Sequence, residues 1–517
     1  MKKTSKALMI GASLLACAGA AQAASTYQIN VTGASAQFNF WNDMAGTWLQ
    51  TGPAGCTPAQ ITQALTVDNK RGYAKCTNSA GDTYILRYTS NASYDGITAL
   101  QGTADPDSCN GGAGTILRKY ADDTVAPDGT GHIPNANVVC RATVIGASDV
   151  NAASLSQSSQ GAKLGPLGKP GVDDGAITTT DYMCGPTATV NSQGTKTKVF
   201  IDANASSPNA LTNNVNHLAV PFSFFVNKGV TWKKCASGAN AGGFCQDDAD
   251  CGGTAGQHTI CTSQTIDNLS RLQAVLLFSG TVTNWGQFGN YFDAKPVILC
   301  LRHAGSGTHA TLDNAVMKGS WGKGLVTVAK NNYATNGSQQ TYNVAGVTGG
   351  TSTALNYIWF NNGTSDLQNC LTGQIYDTVL GANQAARADL GIVGYMDSDQ
   401  PDTATYVQVK YNGVKASRQA LRNGWYDFYT MQNIYYNTGD ATNFSPVNSL
   451  ITNGSTGIIA FASNPNNLVN HTNPLTNVNE SLFWATKGEL RFTKSSDTVY
   501  PVTKSAVANT IPGAQTP

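Results

Sequence analysis

Several apolar strands in this sequence end in a turn of small residues that is followed at once by a helical pattern. The clearest example is KPVILCLRHAGSGTHATLDNAVM, residues 295–317, in which a buried strand, a Gly-Ser-Gly-Thr turn and a helix follow one another. TYQINVTGAS and the helical AQFNFWNDMAGTWLQ form a second such unit. Strands that alternate with helices are typical of α/β proteins, and no fixed-period repeat indicates a solenoid or propeller. The sequence therefore predicts an α/β fold.

The chain is long and carries little charge. Its 517 residues are enough for two or more domains. Charged residues make up 12% of the sequence, about half of the roughly 25% that is usual in soluble domains. The formal net charge of +1 provides no broad field for nucleic acid or an anionic membrane surface. We therefore expect no nucleic-acid partner and favour a loop-rich extracytoplasmic protein.

The segment 1–23 has the pattern of a secretory signal peptide. A basic start and a short apolar centre lead to the small-residue ending Ala21-Gln22-Ala23, so we expect this segment to be removed. The alternative is a lipoprotein cleaved before Cys17, for which the match is poorer. The apolar centre is too short to span a bilayer, which needs about 20 apolar residues. This pattern predicts a periplasmic or extracellular location.

Twelve cysteines occur in the sequence, and eleven remain if Cys17 is removed. Disulfides are expected in an exported protein, and an odd number leaves one thiol free or paired between chains. Four of the cysteines lie within 235–261, and the sequence does not choose among their possible pairings. Zinc would need Cys-x-x-Cys spacing, and calcium at Asp247, Asp248 and Asp250 would need the EF-hand pattern. Neither pattern is present, so we predict a disulfide-stapled insertion at 235–261 and no metal site.

Three strand-ending turns are composed of residues that suit an anion. They are residues 33–37, 146–149 and 305–308. Helix starts present unpaired backbone N–H groups with positive partial charge, and Ser hydroxyls add donors. Arg302, just before the third turn, can grip two oxygens of a tetrahedral anion and stays charged at any working pH.

No catalytic motif accompanies these turns. Ala304 occupies the place of the first Gly in a Gly-x-Ser-x-Gly nucleophile elbow, so Ser306 does not fit one. His303 could act as a base, but no triad is marked around it. The sequence also lacks the phosphate P-loop and the dinucleotide fingerprint. We therefore expect no enzyme activity and no cofactor.

Six segments follow one another between residue 31 and residue 396: VTGASAQFNFWNDMAGTW, IGASDV, VPFSFFVNKGV, LQAVLLFSGTVTNWGQFG, RHAGSGTHATLDNAV and LGIVGYM. Their order resembles that of the phosphate-binding periplasmic proteins, the solute receptors of bacterial phosphate ABC importers and their secreted relatives. The resemblance implies a two-lobed type II periplasmic-binding-protein fold, with inorganic phosphate bound in the cleft between the lobes. Large unmatched insertions separate the segments.

The resemblance also implies the phosphate ligands. They come from all three turns and from the strand end YTSNAS: the backbone N–H groups of Ala36 and Gln37 with Ser35 near them, Ser90 or Ser93, Asp149, Arg302, Ser306, Gly307 and Thr308. Many relatives have an acid where this chain has Ala304. That acid helps to orient the arginine, so its absence leaves the pose of Arg302 open.

Asp149 is the ligand expected to distinguish phosphate from sulfate. A carboxylate beside an anion is repulsive unless the anion carries a proton, and near neutral pH phosphate keeps at least one proton whereas sulfate keeps none. Asp149 can accept the phosphate O–H, but it leaves sulfate with an acceptor facing an acceptor. An unmatched buried acceptor costs on the order of 1–3 kcal/mol, and built-in repulsion of this kind is a source of specificity.

We predict that lobe one comprises 26–215 and 425–517 and that lobe two comprises 216–424, with the apolar run 217–230 crossing between them. The expected function is extracytoplasmic phosphate binding for uptake, with a phosphate ABC importer in the inner membrane as partner. The alternative is a secreted or surface attachment protein that reuses the fold, which low charge and long polar loops favour. A secreted phosphatase ranks third, because neither an activated nucleophile nor a metal site is evident.

Overall fold

A computed structural model describes most of the chain. The described residues are 24–102, 109, 116–152, 213–302, 305–317, 357–361, 363–374, 376–377, 382–383, 385–468, 483–494, 497 and 502–503. The predicted signal segment with Cys17 lies outside them, as do His303 and Ala304. None of the described helices combines the length and the apolar character needed to cross a membrane.

The described residues form twenty-two strands, most of them short. In chain order they are β1 Thr26–Ala34, β2 Ile61–Thr66, β3 Arg71–Thr77, β4 Thr83–Asn91, β5 Leu117–Ala121, β6 His132–Ile133, β7 Val138–Ala142, β8 Ile145–Ser148, β9 Asn213–Asn227, β10 Thr231–Cys235, β11 Cys261–Thr265, β12 Asn268–Leu269, β13 Ile298–Arg302, β14 Tyr357–Asn361, β15 Tyr376–Asp377, β16 Ala382–Asn383, β17 Ile392–Asp397, β18 Tyr406–Tyr411, β19 Tyr429–Tyr436, β20 Ala485–Thr486, β21 Phe492–Thr493 and β22 Val502–Thr503.

The α-helices follow the strands closely and are also short. They are α1 Phe38–Thr51, α2 Ser93–Leu100, α3 Arg271–Phe278, α4 Gly307–Thr311, α5 Thr364–Leu371, α6 Arg418–Asn423, α7 Asn448–Thr452 and α8 Ile458–Ser463. Local sequence signals set some of these boundaries. The Ser270 side chain caps α3 by accepting from the backbone N–H of Gln273, and α6 stops at Gly424, whose φ of 72° suits glycine.

One mixed sheet of fourteen strands contains two halves with the same strand order. In the first half β1 lies between β4 and β8, parallel to both, and β19 pairs antiparallel with β8. In the second half β13 lies between β14 and β17, parallel to both, and β9 pairs antiparallel with β17. β13 and β17 are buried along their whole length, as expected for parallel strands that are covered on both faces.

Strand β9 joins the two halves. Its residues up to Pro221 pair with β19, and residues 222–227 pair with β17 and β18. Phe222 and Phe224 of this strand belong to a core cluster that includes residues from both halves. The predicted α/β architecture with two halves is therefore confirmed, while the lobe boundaries 26–215, 216–424 and 425–517 stay predictions.

Five disulfides link ten cysteines of the described residues: Cys56–Cys76, Cys109–Cys140, Cys235–Cys251, Cys245–Cys261 and Cys300–Cys370. Two of them staple the insertion 235–261, which confirms the prediction of a disulfide-linked segment there. The last pair ties α5 to β13. Of the eleven cysteines expected in the mature chain, Cys184 remains, and it lies outside the described residues.

Counting thiols in the denatured, unreduced chain tests these pairings. A chain that starts after residue 23 has eleven cysteines, ten of them bonded, so we expect at most one alkyl label by intact mass. A covalent dimer through Cys184 would take up none, and a chain that keeps Cys17 would take up one more. If the unreduced chain took up more alkyl labels than this, the result would contradict the five disulfide pairings.

Candidate anion-binding site

The predicted turns lie at the carboxyl ends of parallel strands, where ligands of open α/β sheets bind. Three such ends come from each half of the sheet, and the residues at or just after them are Ser35, Ser93 and Asp149 in the first half and Arg302, Thr364 and Asp397 in the second.

Hydrogen bonds join the two sets of strand ends directly. Arg302 Nη1 donates to Ser35 Oγ at 3.1 Å, and the backbone N–H of Tyr94 donates to the carbonyl oxygen of Gly305 at 3.2 Å. Both bonds connect residues of the first half with residues of the second. The structure therefore shows the halves closed upon each other at this point.

Asp149 is hydrogen-bonded to other first-half residues of the site and is only 1% exposed. Gln37 Nε2 donates to its Oδ1 and Ser93 Oγ donates to its Oδ2, both at 3.2 Å. Burial raises the pKa of Asp149 to about 6, against the opposing effects of the Gln37 bond, the charge of Arg302 and the Ser93 bond. The carboxyl group is therefore mainly ionised at neutral pH and becomes protonated in mildly acidic solution.

Arg302 is the cation of the site and is as deeply buried as Asp149. It is the last residue of β13, and its backbone N–H donates to the Tyr395 hydroxyl at 3.0 Å. Its side chain reaches Ser35 across the junction. Its positive charge acts on the Asp149 carboxyl. Arg302 therefore has partners in both halves of the sheet.

The turn after β13 brings small and hydroxylic residues to the same place. Ser306 caps α4 by accepting from the backbone N–H of His309. Ser306, Gly307 and Thr308 are all buried. Thr308 is 1% exposed, and its buried hydroxyl has no hydrogen-bond partner within the described residues. A buried hydroxyl without a partner is costly and calls for an explanation, such as a bound ion.

His309 is held neutral beside this turn. Burial, and then the charge of Arg302, lower its pKa to about 3. Its Nδ1 and the Tyr395 hydroxyl share a hydrogen bond of 2.5 Å. Because the ring stays neutral at physiological pH, it adds no positive charge to that of Arg302.

The side chain of Gln37 has a role that the sequence did not indicate. The resemblance implied only its backbone N–H, yet its Oε1 accepts from Trp41 Nε1 at 3.2 Å and also from Gln432 Nε2. These two donors fix the orientation of the amide, so that Nε2 faces Asp149. Ala36 beside it is buried, and the predicted role of its backbone N–H stays a prediction.

Of the two serines left open by the sequence, Ser93 is the one that contacts Asp149. Besides donating to the carboxylate, its Oγ accepts from the Asp149 backbone N–H at 3.1 Å. Ser90 lies earlier, on β4, where its backbone N–H donates to the carbonyl oxygen of Lys70. Ser90 makes neither of the two hydrogen bonds that join Ser93 to Asp149.

Thr364 and Asp397 belong to the same group of strand ends, although neither lies in the three turns predicted to bind an anion. Thr364 Oγ1 lies 3.2 Å from Ser35 Oγ and 3.3 Å from Asp397 Oδ1. In the sequence, Asp397 directly follows the apolar run LGIVGYM, as Asp149 directly follows IGAS. That similarity is the signal that could have identified Asp397; Thr364 has no comparable signal.

No protein-family model matches this chain, and no curated protein matches its sequence significantly. Solved structures of phosphate-binding proteins are similar to it. A high-affinity periplasmic phosphate-binding protein, PfluDING, bound with phosphate is 13% identical over 88% of this chain and 90% of its own, with a TM-score of 0.37. The phosphate-binding protein of Stenotrophomonas maltophilia is 11% identical, with 82% of each chain covered and a TM-score of 0.34.

An ancestral soluble variant of the human phosphate binding protein is 15% identical over 81% of this chain and 84% of its own, with a TM-score of 0.34. All three structures are of phosphate-binding proteins, the class of protein that the sequence motifs resemble. The ligand of this chain is inferred from the geometry of its own site.

Replacing Gly307 with Ala should force the two halves apart. A Cβ atom at this position would lie 2.1 Å from Ser93 Oγ and 2.7 Å from Asp149 Cβ, which are distances that real Cβ atoms do not show. We expect anion affinity, measured by titration calorimetry, to fall on the order of tenfold or more. Gly454→Ala is the control, because its Cβ would meet nothing within 4 Å. Unchanged affinity for Gly307→Ala would show that binding does not need this contact.

Proposed function

We propose that this protein binds inorganic phosphate at the junction of its two halves, outside the cytoplasm and without converting it. The observation that carries the proposal is the burial of one fixed cation, Arg302, and one carboxylate, Asp149, in a single site. The arginine attracts an anion of either kind. The carboxylate repels every anion except one that brings a proton, and phosphate does so near neutral pH.

The hydrogen bonds around Asp149 favour its action as a proton acceptor. Gln37 and Ser93 each donate to one of its oxygens, and a carboxylate oxygen has lone pairs for more than one donor. Because the Gln37 amide is oriented by Trp41 and Gln432, it presents its N–H to the carboxylate. The ionised form of Asp149 is thus supported and can receive the O–H of phosphate.

Donors for the remaining phosphate oxygens are close to this pair. The Thr308 hydroxyl is buried without a partner in the described residues, and the Ser35 hydroxyl is in contact with Arg302. Hydroxyls and a guanidinium complement a tetrahedral oxyanion, because they donate and do not add negative charge. This set of groups supports an anion as ligand rather than a neutral solute.

The disulfides support an oxidising location, since such bonds persist mainly in secreted and periplasmic proteins. Ten cysteines are paired in the described residues. Delivery of the phosphate to an ABC importer in the inner membrane is the role we propose for a periplasmic form. If the purified chain does not bind phosphate, a structural or attachment role becomes the better interpretation.

Titration calorimetry with phosphate, and then with sulfate, tests the proposal. Arg302→Lys keeps the charge but loses the two-pronged guanidinium geometry, so phosphate affinity should fall by on the order of tenfold or more. Arg422→Lys is the matched control, because Arg422 lies about half exposed beside Glu489. The proposal would be contradicted if the native chain did not bind phosphate. The role of Arg302 would be contradicted if Arg302→Lys bound phosphate with the native affinity.

The preference for phosphate over sulfate should depend on pH through Asp149. Its pKa is raised to about 6, so below that pH the protonated carboxyl can donate to sulfate, and above it the carboxylate repels sulfate. We expect the preference to increase from about pH 5 to about pH 8 in the native chain, by on the order of tenfold. In Asp149→Asn the preference should be smaller and show less of this change, because the amide does not titrate.

Competitive titrations of both anions on the native chain and on Asp149→Asn measure this effect. The control is Asp267→Asn, since Asp267 is an exposed acid that pairs with Lys234 and Lys410. An equal preference in the native chain and in Asp149→Asn at every pH would remove Asp149 from ligand selection.

A further inference from the structure

The two halves of the sheet carry the same pairing of a hydroxyl with a carboxylate. In the first half Ser93 begins the helix after β4 and donates to Asp149, which follows β8. In the second half Thr364 begins the helix after β14 and donates to Asp397, which ends β17. The strands concerned hold equivalent positions in the repeated strand order. Asp397 is therefore the counterpart of Asp149 in the second half.

The second pair is connected to the anion site by a chain of hydrogen bonds. Arg302 Nη1 lies 3.1 Å from Ser35 Oγ, which lies 3.2 Å from Thr364 Oγ1, which in turn lies 3.3 Å from Asp397 Oδ1. A hydroxyl group has one hydrogen to donate. Thr364 can therefore donate either to Ser35 or to Asp397, but not to both at once.

The direction of the hydrogen bonds in this series decides whether the Ser35 hydroxyl can donate to an anion. When Asp397 is charged, Thr364 donates to it, and Ser35 can donate to the Thr364 oxygen. When Asp397 is neutral, Thr364 is free to donate to Ser35, and the Ser35 hydrogen is available to the anion. The first arrangement turns the hydrogen away from the ligand and the second turns it towards the ligand.

The surroundings of Asp397 combine a second acid with neutral donors. Gln400 Nε2 donates to Asp397 at 2.5 Å and to Asp399 at 3.3 Å, and Asn39 of α1 donates to Asp399 from the first half. Burial and the adjacent Asp399 raise the pKa of Asp397 well above its usual value. Tyr406 on β18 lies near this acid. Burial, and then the charges of Asp397 and Asp402, raise the pKa of Tyr406 to about 12, so that it stays neutral.

We propose that Asp397 is a positioning residue of the anion site, which acts through Thr364 to set whether Ser35 donates its hydrogen to the bound anion. This inference rests on the proposed phosphate function and adds a second carboxylate to it. A proton held between Asp397 and Asp399 favours binding, and loss of that proton weakens it. Phosphate affinity should thus decrease with rising pH because the protein itself loses a proton, the one held between Asp397 and Asp399.

Calorimetric titration of phosphate on the native chain and on Asp397→Asn, in the same series of buffers, tests the inference. Comparing the two proteins removes the contribution of the ligand's own titration. From mildly acidic to alkaline pH, as Asp397 loses its proton, the native affinity should fall relative to that of Asp397→Asn by about tenfold, the effect of losing one hydrogen bond to an ion. The control is Asp267→Asn, the exposed acid that pairs with Lys234 and Lys410.

Thr364→Val provides a second test that does not alter the acid pair. This variant keeps the side-chain shape but breaks the chain of hydrogen bonds, so its pH profile should match that of Asp397→Asn. Adding Asp397→Asn to it should then change the profile no further. Thr372→Val, at the other end of α5, is the control, because its hydroxyl bonds within the helix terminus.

The outcomes separate the inference from the function on which it rests. A native chain that does not bind phosphate would overturn both. Phosphate binding with the same pH profile in the native chain, Asp397→Asn and Thr364→Val would overturn the inference alone. A uniform loss of affinity at every pH would show that Asp397 serves only to maintain the structure, and it would overturn the inference as well.

Discussion

Arg302 and Asp149 are buried at the junction of the two halves, each with 1% of its surface exposed. A charge removed from water is costly, by several kcal/mol per ion, unless an opposite charge and hydrogen bonds replace its hydration. The replacement comes from both halves, because Ser35 accepts from Arg302 across the junction and the charge of Arg302 acts on Asp149. Either half alone would leave a charge poorly compensated. The closed arrangement and the site therefore depend on each other.

The repeated strand order makes this convergence possible. Parallel strands end at one edge of a sheet, so each half presents three adjacent strand ends, and strand β9 continues from one half into the other. The Cys300–Cys370 disulfide adds a covalent link between β13, which ends in Arg302, and α5, which begins with Thr364. Gly307 lets the backbone of the second half approach Ser93 and Asp149 more closely than any side chain would allow.

Features fixed by local sequence were predictable, and features fixed by distant contacts were not. The α/β class and the turns around Asp149 and Arg302 follow from short runs of apolar and small residues. The side-chain role of Gln37 depends on Gln432, 395 positions later, and the place of Thr364 depends on Ser35, 329 positions earlier. The cysteine pairing in 235–261 was open for the same reason, since cross-strand neighbours Cys235 and Cys261 each bond to a different cysteine.

The two carboxylates at equivalent strand ends cannot have the same role if the ligand is phosphate. The phosphate dianion has a single proton, which can satisfy one carboxylate, and a second ionised carboxylate in direct contact would only repel it. Asp149 is in direct contact with the turn that contains Gly307, whereas Asp397 is separated from Arg302 by the hydroxyls of Thr364 and Ser35. Burial, and then the neighbouring Asp399, keep the pKa of Asp397 high. Asp149 can therefore accept the proton of the ligand, while Asp397 at the equivalent strand end holds a proton of its own.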